Sequence, residues 1–140
     1  MSFAAPLPPV VVDASFAVEA LLEGGPFLER WVEWIRDGRM RLVPPHFWAE
    51  LANALLLGRR FEPGRAALTV AAAARAGIET ADRGVAGVVD ALDLAYRHRL
   101  TVYDALYLQL AADVDAELAT LDRALAEAAR AEDIGVVSAA

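Results

Sequence analysis

Residues 10–15 have the sequence VVVDAS, and this stretch decides the fold class of the chain. Val10, Val11 and Val12 form a short run of β-branched apolar residues, which is typical of a strand buried on both faces of a parallel sheet. Asp13 stands where this strand ends. Because ligands of open α/β sheets bind beyond the carboxyl ends of the strands, we expect Asp13 to lie at a functional site.

Outward from this strand, apolar runs alternate with helical patterns along the whole chain. The apolar runs predict further strands at 41–43, 78–80, 118–121 and 134–137. Glycine and proline punctuation predicts helices at 15–23, 26–37, 44–60, 63–77, 84–99, 103–112 and 123–132. This alternation predicts a three-layer α/β sandwich of the Rossmann-like kind, with a central parallel sheet of about four or five strands.

Size and composition predict one soluble domain over residues 1–140, with 1–9 as a loose lead-in. A chain of 140 residues that is 57% hydrophobic can bury roughly 68–70% of the surface of its unfolded form. No apolar run reaches the roughly 18 residues that a membrane span requires. The opening MSFAAPLPP has no Arg or Lys ahead of a long apolar segment, which is unlike a secretory signal. We therefore expect a cytoplasmic protein with no membrane contact.

The amino-acid composition limits the kinds of metal site, phosphate site and nucleic-acid binding that the chain can have. The chain has no Cys and only two His, so a metal site would hold a hard ion through carboxylates and water. All thirteen basic residues are Arg, which excludes the phosphate-binding lysine of a Walker A loop. The formal net charge of −7 argues against nucleic-acid binding through a broadly basic surface. RNA affinity would have to come from local Arg side chains and bound metal.

Four acidic residues occupy special positions in these predicted elements. Asp13 and Asp122 follow strands, Asp104 opens a helix, and Glu50 lies on a helix among apolar neighbours. Together they would form a carboxylate pocket for divalent cations, which can hydrolyse phosphodiesters. The three Asp residues have an alternative role as helix caps, each stabilising its helix by roughly 1 kcal/mol.

The segments around these acids carry a family resemblance. VVVDAS, WAELANAL, TVYDALYLQLA and LATLDRALAEAA together resemble the PIN-domain ribonucleases, and among them the VapC-type toxins, over residues 10–137. The resemblance implies a PIN-like fold and a metal-dependent endoribonuclease that uses Mg²⁺ or Mn²⁺. It also implies that Asp13, Asp104 and Asp122 are metal ligands and that Glu50 completes the catalytic pocket.

The resemblance extends to supporting residues and partners. Ser15 and Thr120 match small hydroxyl positions that orient carboxylates and water, and Asn53 matches an amide that often follows the helix Glu. The implied partners are an RNA substrate such as tRNA or rRNA, a cognate antitoxin protein and a second copy in a homodimer. Trp31 and Trp34 lie on a helix whose apolar arc is wider than one core stripe needs, and core packing explains most of this arc. In VapC-type proteins this region receives the antitoxin, and we expect the two indoles to anchor it.

Two alternatives stay open at this point. Arg123 follows Asp122 where some PIN proteins have a further acid, so the site could take one metal or two. A phosphatase or receiver domain on a similar sheet is not one of them, because both need a Lys and the chain has none. The phosphatase also needs a second Asp where Ser15 stands. A PIN-like fold that only binds RNA or assembles with partners is the competing function of a different class.

Overall fold

The computed structural model of the chain describes residues 7–137. Residues 1–6 of the predicted lead-in lie outside the described residues. The last two residues of the lead-in, Pro8 and Pro9, are fixed to the sheet. The Glu117 N–H donates to the Pro9 carbonyl at 3.0 Å, and Arg39 Nε donates to the Pro8 carbonyl at 2.6 Å.

A parallel sheet forms the centre of the molecule. Its strands are β1 (Val10–Val12), β2 (Arg41–Val43), β3 (Ile78–Thr80) and β4 (Glu117–Ala119), in the order β3-β2-β1-β4. The predicted last strand at 134–137 is reduced to one bridge between Leu118 and Val136 at the outer edge of β4. The described residues thus confirm a parallel sheet of four strands.

Helices cover both faces of this sheet. They are α1 (Ala14–Val18), α2 (Gly25–Arg36), α3 (Phe47–Asn53), α4 (Pro63–Arg75), α5 (Gly84–His98), α6 (Val102–Asp113) and α7 (Arg123–Ala131), and α1 and α3 continue into wider π-helical turns at Glu19–Glu23 and Ala54–Gly58. The connections from β1 to β2 and from β2 to β3 cross the sheet in one direction, and the connection from β3 to β4 crosses it in the opposite direction. Since such crossovers are right-handed, α1–α4 and α5–α7 lie on opposite faces. The three-layer prediction is confirmed. Between residues 7 and 137, no helix has the length and apolarity that crossing a bilayer demands.

The two tryptophans of α2 require a correction. Trp31 and Trp34 are only 2% and 3% exposed, and Trp34 stacks on Phe16 with ring centroids 5.5 Å apart. The Arg41 guanidinium lies 5.5 Å from the centre of the Trp31 ring. Both indoles are therefore core side chains, and the prediction that they are exposed partner anchors is not supported. The exposed apolar residues of α2 are instead Leu28, Val32 and Ile35.

Strand β4 ends two residues earlier than its apolar pattern predicts. After Ala119, the N–H groups of Leu121 and Asp122 donate to the hydroxyls of Ser15 and Thr120, both at 3.0 Å. These donors are used by side chains at the end of the sheet instead of by a neighbouring strand. Because the Ser15 and Thr120 hydroxyls also donate to Asp13, the early end of β4 connects this segment to the Asp13 carboxylate.

Candidate active site

The carboxyl ends of β1 and β4 lie side by side in the sheet. Val12 pairs with Ala119, and the Asp13 N–H donates to the Ala119 carbonyl at 3.1 Å. The connection from β1 leads to β2 on one side, while β4 lies on the other side of β1. This is the point at which the strand order reverses, where doubly wound sheets bind their ligands.

Asp13 is buried at this point, with 6% of its surface exposed. Its Oδ1 accepts hydrogen bonds from Ser15 Oγ at 2.6 Å and from the Phe16 N–H at 3.0 Å, and its Oδ2 accepts one from Thr120 Oγ1. Burial raises the pKa of Asp13, and these hydrogen bonds offset part of the increase. A carboxylate has about four lone-pair positions, so the three donors leave one position on Oδ2 for a further partner.

Asp122 is joined to the same network through Thr120. The Thr120 hydroxyl donates to Asp13 and accepts from the Asp122 N–H, so it sets the distance between the two residues. Asp122 also caps α7, since its Oδ1 accepts from the Leu125 N–H at 3.0 Å. The side chains of Asp13 and Asp122 therefore combine the capping role with a position at the site, and the two roles do not exclude each other.

Glu50 lies half-buried in the first turn of α3 and has two partners. Its Oε1 accepts from the Tyr107 hydroxyl at 2.7 Å and lies 3.2 Å from His46 Nε2. Burial and then the Glu50 contact raise the pKa of Tyr107, which keeps the phenol a neutral donor. His46 Nε2 also lies 2.9 Å from the Tyr103 carbonyl oxygen, which can only accept, so Nε2 carries a proton.

Asp104 does not cap its helix. Thr101 occupies the cap position of α6, and its side chain accepts from the Asp104 N–H at 3.1 Å. The Asp104 side chain is therefore available for another role. Burial raises the pKa of Asp104, and the nearby carboxylates of Asp122 and Glu50 raise it further. Asp104 is thus an electrostatic neighbour of both groups.

All four acids lie at the N-terminal ends of helices. Asp13 and Asp122 are the N-terminal caps of α1 and α7, while Glu50 and Asp104 lie in the first turns of α3 and α6. The partial positive charge of a helix N-terminus stabilises a nearby carboxylate by roughly 0.3–1 kcal/mol. Helix ends therefore offset part of the repulsion among four like charges.

The donor chemistry of these residues fits a hard divalent cation, because carboxylate oxygens and water are its preferred ligands. Among residues 7–137, however, no three Asp, Glu or His side chains are gathered into a group that could hold a metal as they stand. Asn53 is exposed and lies three residues beyond Glu50 on α3. Ser15 and Thr120, which we predicted to orient carboxylates, both contact Asp13 in the structure.

Two residues of the site, His46 and Tyr107, were missed by sequence reasoning. His46 precedes Glu50 by four residues and Tyr107 follows Asp104 by three, so each spacing is that of neighbours on one helix face. These spacings were available signals. Neither of them indicates the contact between Tyr107 and Glu50, which joins residues 57 positions apart.

The Thr120 hydroxyl provides a direct test of this network. We expect Thr120→Val to lower the activity supported by the site by about 10- to 100-fold, the usual effect of losing a group that orients a catalytic ligand. Asp13 would lose a donor and its pKa would rise further, shifting the acidic limb of the pH–rate profile to higher pH. Thr120→Ser keeps the hydroxyl and should keep the profile. An unshifted profile in Thr120→Val would contradict this role.

Comparison with known proteins identifies the family. The model of the PIN domain family matches residues 10–131, which is most of the chain. The chain belongs to the PIN domain family. The matched region includes all four acids.

Relatives of this PIN domain agree with that assignment. A stretch of 38 residues is 55% identical to ribonuclease VapC3 of Pyrobaculum aerophilum, covering 27% of this chain and 29% of that protein. The PAE2754 structure from the same organism superimposes with a TM-score of 0.69 at 20% identity, over 92% of this chain and 83% of that one. A toxin–antitoxin complex from Klebsiella pneumoniae gives 0.57 at 16% identity, over 94% and 98%. At these identities the solved structures show a shared fold.

Proposed function

We propose that this PIN domain is a divalent-metal-dependent endoribonuclease that acts as the toxin of a type II toxin–antitoxin pair. The observation that carries this proposal is the position of Asp13, Glu50, Asp104 and Asp122 in the N-terminal turns of four helices. Electrostatic coupling links Asp104 to Glu50 and Asp122, and Asp122 to Asp13. The partial identity to a VapC ribonuclease supports RNA as the substrate.

Asp13, Asp104 and Asp122 would hold Mg²⁺ or Mn²⁺, with Glu50 completing the pocket. A cation of this kind supplies an activated water and stabilises charge on the scissile phosphate. Removing the repulsion among the carboxylates would allow them to draw closer than they stand in the structure. Ser15 and Thr120 hold Asp13 in one orientation, so its remaining lone pair on Oδ2 is directed by the protein before any ligand binds.

Glu50 has a different environment from the three Asp residues. The neutral Tyr107 hydroxyl and the protonated Nε2 of His46 both lie against Oε1, which keeps this oxygen oriented by protein donors. Glu50 is therefore suited to orient the reacting water, because hydrogen bonds fix the geometry of its carboxylate. Its position in the first turn of α3 keeps that negative charge stabilised by the helix end.

Chelation tests the proposal directly. We expect purified protein to cleave RNA with Mg²⁺ or Mn²⁺ and to lose cleavage in excess EDTA, because the carboxylates supply no nucleophile without a bound water. Gel analysis of a mixed tRNA and rRNA substrate measures this, and sequencing of the RNA ends after induced expression locates the cleavage sites. Circular dichroism with and without EDTA controls for unfolding.

The competing function makes the opposite prediction. Carboxylates that are not gathered into a coordination group are also what an inactive PIN-like binding or assembly module would show. Such a module would bind RNA or protein equally well with and without divalent metal, and it would leave RNA intact. Cleavage that persists in EDTA would contradict both readings and point to a contaminating nuclease or another mechanism.

We also propose a cognate antitoxin as the partner and the cytoplasm as the place of action. A structural relative described as a toxin–antitoxin complex supports the partner. Leu28, Val32 and Ile35 are 39–48% exposed on α2 and offer an antitoxin apolar contacts that the buried indoles cannot. A second copy in a homodimer stays part of the proposal, and the exposed face of α5 with Val85, Val89, Leu92 and Tyr96 is a surface for it.

A further inference from the structure

A cavity of about 200 Å³ opens beside the candidate active site. It lies between the turn that precedes α3, the loop that precedes α5, and the facing sides of α5 and α6. Its walls are mainly apolar and include Pro44, Pro45, Val88, Leu106 and Leu110. Sites for drug-sized ligands usually measure roughly 300–1,000 Å³, so this cavity has room for one small group rather than a large ligand.

One residue joins the cavity to the acids. The His46 ring lines the cavity, and its Nε2 lies 3.2 Å from Glu50 Oε1. Tyr103 is 64% exposed, its ring centroid lies 5.8 Å from that of His46, and it immediately precedes Asp104. Exposed aromatic rings are the usual surfaces on which unpaired RNA bases stack. A ligand in the cavity would therefore lie next to His46, which contacts the Glu50 carboxylate.

The charged rim of the cavity disfavours a phosphate there. Asp82 and Asp113 line it as carboxylates, and the Arg83 guanidinium is already engaged by Asp90 at 2.7 Å and by Asp113 at 2.8 Å. A phosphate group would meet uncompensated negative charge at this rim. A neutral ring would not.

Gln109 supplies the polar recognition group. Its Nε2 donates to Asp113 Oδ1 at 2.9 Å, which fixes the orientation of the amide. The amide retains one N–H and the acceptor Oε1. An adjacent donor and acceptor of this kind match the N6 and N7 edge of adenine, the base that Asn and Gln side chains recognise through two hydrogen bonds.

We propose that this cavity holds an unpaired adenine of the RNA substrate, next to the scissile phosphodiester. The assignment of this adenine to an RNA substrate rests on the proposed ribonuclease function. The residues that line the cavity are separate from the proposed metal ligands. The apolar walls bury the ring, Gln109 reads its edge, and His46 lies between the base and the Glu50 carboxylate.

The binding test uses adenosine and uridine as neutral probes, without divalent metal. We expect adenosine to shift the NMR methyl resonances of Val88, Leu106 and Leu110 and to bind at least about fivefold more tightly than uridine, the lower limit for two-bond base recognition. Val88→Phe fills the cavity and should remove both effects. Leu68→Phe is the matched control, because Leu68 is exposed on α4 and does not line the cavity. Gln109→Leu should bring adenosine down to the affinity of uridine.

A cleavage assay with RNA oligonucleotides that differ at one flanking base completes the test. We expect the wild type and Leu68→Phe to prefer adenine beside the cleaved bond and Val88→Phe to lose this preference. Adenosine binding without RNA cleavage by any variant would refute the proposed function and leave the cavity assignment intact. RNA cleavage combined with no adenosine shifts, or with unchanged adenosine binding in Val88→Phe, would overturn the cavity assignment.

Discussion

Replacing Asp104 with Asn should reduce RNA cleavage by at least about 100-fold, since the loss of a metal ligand removes several kcal/mol of charge stabilisation and each 1.36 kcal/mol is a factor of ten in rate. The fold should remain intact, because Thr101 and not Asp104 caps α6. Asn has the same shape as Asp, and only the charge is lost. Single-turnover cleavage rates at saturating Mg²⁺ measure the effect. Asp115→Asn removes a charge before β4, away from the site, and should cleave RNA like the wild type.

The same variant should be more stable than the wild type at neutral pH. Burial and the Asp122 and Glu50 carboxylates raise the pKa of Asp104 above its ordinary value of 3.8, so the folded chain binds this proton more tightly than the unfolded chain. The ionised side chain therefore lowers the free energy of unfolding at pH 7, and this penalty disappears as the pH falls below 3.8. Urea unfolding in EDTA should show the gain of Asp104→Asn at pH 7 and not at pH 3. A large loss of stability would instead indicate a structural role.

Trp31→Ala should lower the free energy of unfolding by about 3–5 kcal/mol, the range for truncating a buried aromatic side chain. The Trp31 indole is 2% exposed and packs against Trp34 and the Arg41 guanidinium, so its removal leaves a cavity in the layer beneath α2. Because a domain is stable by only about 5–15 kcal/mol, the variant should unfold far more easily. Equilibrium urea unfolding followed by tryptophan fluorescence and circular dichroism measures the change.

Val32→Ala is the control for Trp31→Ala. Val32 adjoins Trp31 on α2 but is 48% exposed, so we expect its truncation to change the free energy of unfolding by no more than about 0.5 kcal/mol. Comparable small effects for both variants would show that the indole does not belong to the core. Loss of antitoxin co-purification in Val32→Ala, with stability unchanged, would assign the exposed face of α2 to the partner.

Local patterns predicted that Asp13, Asp104 and Asp122 lie at the starts of helices. Val10–Val12 is apolar throughout, so the end of a buried strand could be placed at Asp13, and Asp122 follows β4 for the same reason. The capping alternative was correct for Asp13 and Asp122 and wrong for Asp104, where Thr101 lies three residues earlier and takes the cap. Both Thr101 and Asp104 are suitable caps, and the choice depends on where the helix begins.

Local sequence patterns were sufficient to predict the α/β class, the strands β1 to β4 and the acids that follow β1 and β4, because hydrophobic periodicity and turn residues act over a few neighbouring positions. The packing of the helices was needed to establish that Trp31 and Trp34 are core residues and that Tyr107 donates to Glu50. An apolar arc on a helix fits a core and a partner surface equally well, since both bury the same side chains. Contacts between residues far apart in the chain depend on how the helices pack on the sheet, and no local pattern carries that information.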